Sequence, residues 1–525
     1  METNRQVGTV LDGATPLNFP FKVAKDVDVP LHEYVTVDVG GRTVLAEVVD
    51  VGARNPLMRE RIAELGIDGL ERYGYEVASA EVLGYLDGGK VMRPKHAPKP
   101  NTPVYLADSK TLQTFYAGDE DRLPIYVGTL LHRNDVQVPI HLQDLSFHLG
   151  IFAQTRGGKS YLAGAIIENI LLHTNFPAVV IDIHGDYVMM DRSAEDGKRH
   201  GKFNVIVYYP PNAPKIEGVT ADVRELNLSL KQLTNEAFME LLGGLGELQS
   251  IRLRKIIKDL KDEGRPFGLS DVIKRIRGML EEVEEEKGER GHAKVKEKRG
   301  LPSDEKKRLA SILARLEDLG EEVKLSAEET PVQEFLRPKT LSVICLRGLR
   351  SRIQDAYTGI IIDMIFKNQV AYCGDLRKAP PTFVFIEEAH RVASREGSKY
   401  ASKIISTAIR EGAKFGLFLG LISQRPRSIS PDIMANIGNY AVLRITNAQD
   451  QNMIESASES FSHRLVQDLP ALNEGEAVLV GPFVPLPAII KVSRRKTVHH
   501  GATPYLAAMN DEMSKLMEEA RREKW

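Results

Sequence analysis

The sequence predicts an α/β protein whose parallel sheet is preceded by a small β-barrel and interrupted by a helical bundle. Three observations predict it. Short apolar runs separated by turn residues fill the first 125 or so positions. Strands alternate with helical stretches from about residue 145. That alternation stops near Leu228 and resumes near Leu341, and the residues between carry helical apolar stripes. At 525 residues the chain exceeds one ordinary core, and roughly two to four domains follow.

The barrel is expected over residues 1–127. Tyr34 to Val39 alternates, Gly40-Gly41 turns the chain, and Val44 to Val51 returns, which is a hairpin signature. Further runs at Val77 to Leu86, Val104 to Leu106 and Ile125 to Leu131 are separated by turn residues and by the Pro-rich stretch Pro94 to Pro103. Residues 128–228 open the α/β core, with strands at Leu145 to Phe152, Pro177 to Ile183 and Asn204 to Tyr208. Between the first two, Tyr161 to His173 carries apolar residues at 162, 163, 166, 167, 170 and 171, a helical stripe. Residues 229–338 form the helical insertion. One stripe is Leu253, Ile256, Ile257 and Leu260; another is Leu309, Ile312, Leu313, Leu316 and Leu319. Glu281 to Arg299, between them, is almost wholly charged and reads as a solvated helix or hairpin in preference to a nucleic-acid arm. Residues 339–500 complete the core with strands at Leu341 to Leu346, Thr382 to Ile386, Gly416 to Ile422 and Ala441 to Ile445. Residues 501–525 hold an amphipathic helix, Thr503 to Trp525, suited to bracing a neighbouring subunit or the chain's own surface.

The chemistry starts at Ala153-Gln154-Thr155-Arg156-Gly157-Gly158-Lys159-Ser160, a Gly-rich loop between a strand and a helix. Backbone N–H groups of such a loop point at phosphate oxygens, and the positive end of the next helix faces the same charge. Gly157, Gly158 and Tyr161 belong to this nucleotide site; Lys159 reaches the β- and γ-phosphates, and Ser160 ligates Mg²⁺. Ala153 stands where the pattern usually has its first Gly. A second apolar strand, Phe383 to Ile386, ends in Glu387-Glu388-Ala389-His390. Ligands of α/β sheets bind beyond the carboxyl ends of the strands, so Glu387 is placed to hold Mg²⁺ and Glu388 to polarise the attacking water. The strand Gly416 to Ile422 ends in Ser423-Gln424-Arg425-Pro426, where Gln424 can sense a γ-phosphate. Asp182, ending another strand, either supports the magnesium or its water, or caps a helix. Arg410, Arg425 and Arg444 are candidates to stabilise transition-state charge from a neighbouring subunit, Arg410 first because it lies just ahead of the Gln424 strand.

Composition removes several classes. A formal net charge of -2 excludes a globally basic coat, so any nucleic-acid contact needs a local patch or a channel lining. Two cysteines, Cys345 and Cys373, exclude a disulfide framework and a Cys-based zinc site and fit a reducing cytosol. No stretch approaches the apolar length that spans a bilayer, so a soluble, cytoplasmic chain without a membrane partner is expected.

In this order, the barrel, the loop Ala153 to Ser160, the strand end Asp182 to Tyr187, the helical insertion, Glu387 to His390 and Ser423 to Pro426 together resemble the HerA group of DNA translocases. That group lies within the HerA and FtsK superfamily, and the resemblance spans essentially the whole chain. It implies a RecA-like P-loop ATPase core with an N-terminal HAS-barrel, of the kind shared with ATP synthase subunits. It also implies a homohexameric ring that threads double-stranded DNA, hydrolyses ATP with Mg²⁺ at subunit interfaces, and resects DNA ends with a NurA-type nuclease. By the same resemblance, a C-terminal segment covers the nucleotide, with Val492, Ser493 and Arg494 as its counterpart, and pore loops hold the DNA. Arg347, Arg350 and Arg352 are candidates for the pore, or for interface salt bridges. Phe147 departs from the family where relatives can carry a basic residue. A secretion or conjugation ATPase of the same superfamily, or a nucleotide-regulated clamp that does not translocate, are the alternatives.

Overall fold

The computed structural model describes residues 5–54, 75–230, 233–264, 267–281, 301–326, 329–458 and 461–501, with Met513 and Met517. The expected brace from Thr503 to Trp525, apart from those two methionines, and the charged run after Glu281 lie outside the described residues. The chain divides into two compact units, residues 1–149 with 438–493 and residues 150–437 with 494–525.

Seven strands open the first unit: β1 (Gln6–Val10), β2 (Asn18–Val23), β3 (Tyr34–Asp38), β4 (Thr43–Arg54), β5 (Tyr75–Asp87), β6 (Lys90–Met92) and β7 (Pro103–Leu106). They pair in the order β2-β1-β7-β3-β4-β5, and β5 pairs back to β2, closing a six-stranded barrel with β6 added to β5. The β3–β4 hairpin turns on Gly40 and Gly41, both at positive φ (65° and 80°), as a two-residue turn with the strand twist requires. Val7, Phe19, Phe21, Val35, Val37, Ala46, Val48, Ala80 and Val104 fill the interior. Gly8 sits where strands cross so closely that a Cβ would lie 2.3 Å from the Lys22 carbonyl. After the helix Ser109–Phe115 comes the antiparallel pair β8 (Pro124–Leu130) and β9 (Arg133–His141).

The second unit is built on β10 (Leu149–Phe152), β11 (Ala178–Asp182), β12 (Asn204–Tyr209), β13 (Asp222–Glu225), β16 (Thr340–Cys345), β17 (Thr382–Ile386) and β18 (Leu417–Ser423), with the two-residue strands β14 (Leu228–Ser229) and β15 (Leu325–Ser326) pairing apart from them. The main order is β13-β12-β16-β11-β17-β18-β10, and the registered pairs from β13 to β18 are parallel. β11, β16 and β17 are buried along their whole length, as a sheet covered on both faces demands. The order sets up the chemistry: β18 lies between β10 and β17, so its carboxyl end separates the Gly-rich loop from Glu387-Glu388.

Among the described residues, four helices, Asn235–Leu242, Glu247–Asp262, Leu269–Glu281 and Ser303–Glu322, occupy the span between β14 and β15. The stripe Leu253, Ile256, Ile257, Leu260 is buried, as are Leu309, Ile312, Leu316 and Leu319, whereas Leu313 is only half-buried. Among the described residues, no helix is long and apolar enough to cross a membrane.

Two strand expectations need correction. Leu145 to Phe152 is not one strand. A 3-10 helix covers Leu142–Phe147, His148 turns the backbone at φ 59°, and β10 starts at Leu149; Asn439 Nδ2 donates to the carbonyls of Asp144 and His148 and fixes that turn. The strand expected at Ala441 to Ile445 is β19 (Asn439–Val442). It ends three residues earlier than expected and runs antiparallel to β20 (Glu476–Val480), which pairs with β21 (Ala488–Val492) and through it with β8 in the first unit. The first unit also holds a half-buried charged cluster: Arg464, from the helix His463–Asp468, donates to Glu47 and Glu81 (both 3.2 Å), and His32 Nδ1 lies 2.9 Å from Glu47 Oε1.

Candidate active site

The Gly-rich loop leaves β10 and enters the helix Lys159–His173 at Gly158, whose left-handed backbone (φ 86°) caps the helix without any side-chain hydrogen bond. The first N–H groups of the helix therefore face out of the loop with no side chain on them, the arrangement that receives an anion. Gly157 donates its N–H to Gln154 O (2.9 Å), and a Cβ there would meet Ala153 Cβ and Gln154 O at 2.9 Å. Ala153 itself is fully buried and does not have positive φ, and its N–H bonds to Ser423 O (3.3 Å). A methyl group fits there, which explains why this position does without glycine. Ser160, the second helical residue, is buried.

Lys159 Nζ lies 2.9 Å from Glu388 Oε1 and 3.3 Å from Glu387 Oε2. Burial works against its charge, but the two carboxylates outweigh burial and hold the ammonium above its usual range. Glu387 is fully buried and accepts from Tyr187 Oη at 2.6 Å, while burial beside Glu387 pushes the Tyr187 phenol well up. Glu388 adopts φ 48°, ψ 41°, a left-handed conformation that costs a non-glycine residue about 1–2 kcal/mol. His390 Nδ1 stands 3.2 Å from Glu388 Oε2, near enough for charge to be felt but off the hydrogen-bonding line, so that buried oxygen has no hydrogen-bond partner.

The end of β18 joins both sides. Ser423 Oγ is 3.2 Å from His390 Nδ1 and accepts from Arg425 N (3.0 Å), and Gln424 Oε1 accepts from Thr155 Oγ1 (2.7 Å). Burial lowers the His390 imidazole below its ordinary value. Asp182 closes the turn after β11, where a helix cap is the expected alternative to a metal role. Its Oδ1 accepts from the N–H groups of His184, Gly185 and Asp186, and its Oδ2 from that of Tyr187. Burial pushes its carboxyl up to about 7 against those donors. The turn it builds delivers Tyr187 to Glu387.

A divalent cation fits the residues present. His184, Glu387 and Glu388 bring ligand atoms within 4.8 Å of one another, and the unpartnered Glu388 oxygen supplies an open acceptor. Ser160 follows Lys159, whose Nζ meets Glu387.

Other expected residues lie elsewhere. Tyr161 Oη accepts from Arg495 N (2.7 Å), and its ring meets the buried Arg495 guanidinium and, edge-on, His499. Glu168 accepts from the N–H groups of Lys496 and Thr497. Val492 and Ser493 belong to the first unit, their N–H groups bonded to Gly475 O and Val127 O, so within the second unit it is Arg495 that reaches the loop helix. Arg410 is exposed and donates to Ser406 Oγ in its own helix (2.9 Å); Arg425 and Arg444 are exposed. Arg350 pairs with Glu322 of the helical insertion (2.5 Å), Arg352 packs against Gly243, and Arg347 is exposed. His184, Tyr187, His390 and Arg495 carried no expected role. For His390 a signal existed, its position two residues after Glu388 in the motif; for the others, only tertiary proximity reveals them.

The family model for the central domain of helicase HerA matches residues 125–365. The DNA double-strand break repair helicase HerA of Pyrococcus furiosus is 29% identical, the alignment covering 93% of this chain and 92% of that one. The protein of the same description from Sulfolobus acidocaldarius is 26% identical over 90% of each. Among solved structures, VirB4 of Thermoanaerobacter pseudethanolicus aligns at 13% identity with a TM-score of 0.49, over 71% of this chain and 96% of that chain.

Proposed function

We propose, from the premise that this chain belongs to the HerA group of P-loop ATPases, that it hydrolyses ATP to drive movement along, or unwinding of, double-stranded DNA in repair. The observation that carries the hydrolytic part is the grip of Lys159 on Glu387 and Glu388 beside an open helix N-terminus. A cation held by two buried carboxylates is a substitute for the charges a nucleotide complex brings. The DNA part is supported by the descriptions of the relatives.

On this reading, the loop amides and Lys159 take the phosphates, while Ser160 and Glu387 hold Mg²⁺, which when bound neutralises phosphate charge. Released from Lys159, Glu388 orients and polarises the attacking water. Gln424, tied to Thr155, reports whether the γ-phosphate end of the loop is filled. Arg410 acts on the site of a neighbouring copy in a homohexameric ring, the arginines around 347–352 contribute to the DNA path, and a NurA-type nuclease completes end resection.

The test is ATP turnover with and without blunt duplex DNA, run beside a mass measurement of the assembly. DNA is expected to raise turnover several-fold on a ring-sized species. Turnover indifferent to duplex would reject the motor; absence of turnover would reject the hydrolytic site itself.

A further inference from the structure

We propose that His390 is a positioning residue for Glu388, taking over its orientation when Lys159 leaves for the phosphates, and that through Ser423 it couples that orientation to Gln424. This rests on the ATP-hydrolysing reading of the site.

In the present arrangement Glu388 has one hydrogen bond that fixes its carboxylate, from Lys159 to Oε1 (2.9 Å). An ammonium that engages phosphates no longer neutralises this carboxylate. Glu388 would then be a buried carboxylate on a left-handed backbone (φ 48°), and a general base whose direction is not fixed loses much of its rate advantage. His390 Nδ1 is the polar group beside its other oxygen, at 3.2 Å. That contact is off the hydrogen-bonding line while Lys159 pulls on Oε1, and a small rotation of the carboxylate toward His390 brings it on line once the pull is gone.

The same Nδ1 lies 3.2 Å from Ser423 Oγ, so it is shared between the ends of β17 and β18. Contacts then run from Thr155 through Gln424, Ser423, His390 and Glu388 to Lys159. Both ends of this circuit are residues of the phosphate loop. Filling the loop shifts Thr155 and Lys159 together, and His390 is where the two effects meet at the base.

The test combines three variants with ATP turnover and direct nucleotide binding. His390→Ala should lower kcat about 10- to 100-fold with nucleotide affinity changed by no more than about twofold. His390→Asn, whose amide nitrogen can occupy the place of Nδ1, should recover most of the loss, while His390→Gln, which places its amide at the Nε2 position, should not. Placed on Glu388→Gln, His390→Ala should cost nothing further, since residues acting as one unit are non-additive. A full additional loss on that background, or equal activity of the Asn and Gln variants, would show a merely structural role and overturn the inference. Undiminished turnover in His390→Ala overturns it while leaving the hydrolytic reading standing; a wild-type chain without turnover sinks that reading first.

Discussion

Both compact units hold a half-buried cation among carboxylates, and they hold it differently. In the first unit Arg464 forks between Glu47 and Glu81, with His32 on Glu47 and Asp468 nearby; the partners come from β4, β5, the turn before β3 and a late helix. In the second unit Lys159 meets two carboxylates that are neighbours in sequence, one on a left-handed backbone and with an oxygen left unpaired. A guanidinium has fixed fork geometry and permanent charge, whereas an ammonium is a point charge on a flexible stem. The arginine cluster fastens distant segments to one another. On the proposed reading, the lysine cluster changes partners when a nucleotide binds.

Glu388→Gln is the strongest way to break that contrast. It keeps the shape and removes the charge, so nucleotide binding should persist while turnover falls about 10²- to 10⁴-fold, measured by single-turnover hydrolysis beside equilibrium binding. Thermal stability should change little, because the amide oxygen can still accept from Lys159, which keeps its ion pair with Glu387. Turnover near wild type would take the base role from Glu388 and leave the two clusters alike.

Arg464→Ala probes the other side. It leaves Glu47, which is 5% exposed, with His32 as its remaining partner, and losing this partly buried pair should cost about 1–3 kcal/mol. Urea melts should show that loss, and adding Glu47→Gln should recover part of it, because the two residues share one interaction. ATP turnover per folded molecule at low temperature should be unchanged. A large loss of turnover in a fully folded variant would mean that the arginine cluster also belongs to the chemistry.

The two clusters were unequally legible in the sequence. The loop, Glu387-Glu388 and Gln424 stand in local patterns, apolar strands with polar ends, so both their elements and their convergence could be anticipated. Placing β18 between β10 and β17 makes that convergence concrete, and strand order is a product of long-range pairing that no local pattern contains. Arg464, Glu47 and His32 carry no motif at all; they lie hundreds of residues apart in part, and only the closed barrel brings them together. Tyr187 and Asp182 lie between these extremes. The strand end was visible, with a metal role and a helix cap as its alternatives, but Asp182 closes a turn through four N–H groups that only a folded backbone can aim. β10 came out shorter than expected because His148, polar and left-handed, interrupts an apolar run that hydrophobicity alone reads as continuous.

Asp182 gives the next prediction, on pH. Burial raises its carboxyl from an ordinary value near 3.8 to about 7, so between those values the folded chain retains a proton that the unfolded chain has released. Stability from this group is therefore greatest at the acid end of the window and declines as pH rises toward 7. In urea melts at pH 5 and pH 8, the advantage of wild type over Asp182→Asn should shrink by roughly 2 kcal/mol at the higher pH. An advantage that does not change with pH would mean that the backbone donors keep the carboxylate ionised throughout.

The smallest effect separates the regions most cleanly, because the same change can be made in each. Tyr187 Oη donates to Glu387 at 2.6 Å, and Tyr116 Oη, equally buried, donates to Pro487 O at 3.1 Å. Removing the Tyr187 hydroxyl deletes that bond, removing the Tyr116 hydroxyl also loses a longer one with Tyr34 Oη (3.5 Å), and Tyr→Phe at either place should cost about 1 kcal/mol of stability. Function should distinguish them. Tyr187→Phe frees an oxygen of the residue expected to hold Mg²⁺, so the half-saturating Mg²⁺ concentration for turnover should move by about two- to fivefold, an energy within the range of a single hydrogen bond. Tyr116→Phe should leave that titration where it was. Equal Mg²⁺ curves for the two variants would mean that Tyr187 only packs the turn after β11, and that Glu387 is held well enough by Lys159 alone.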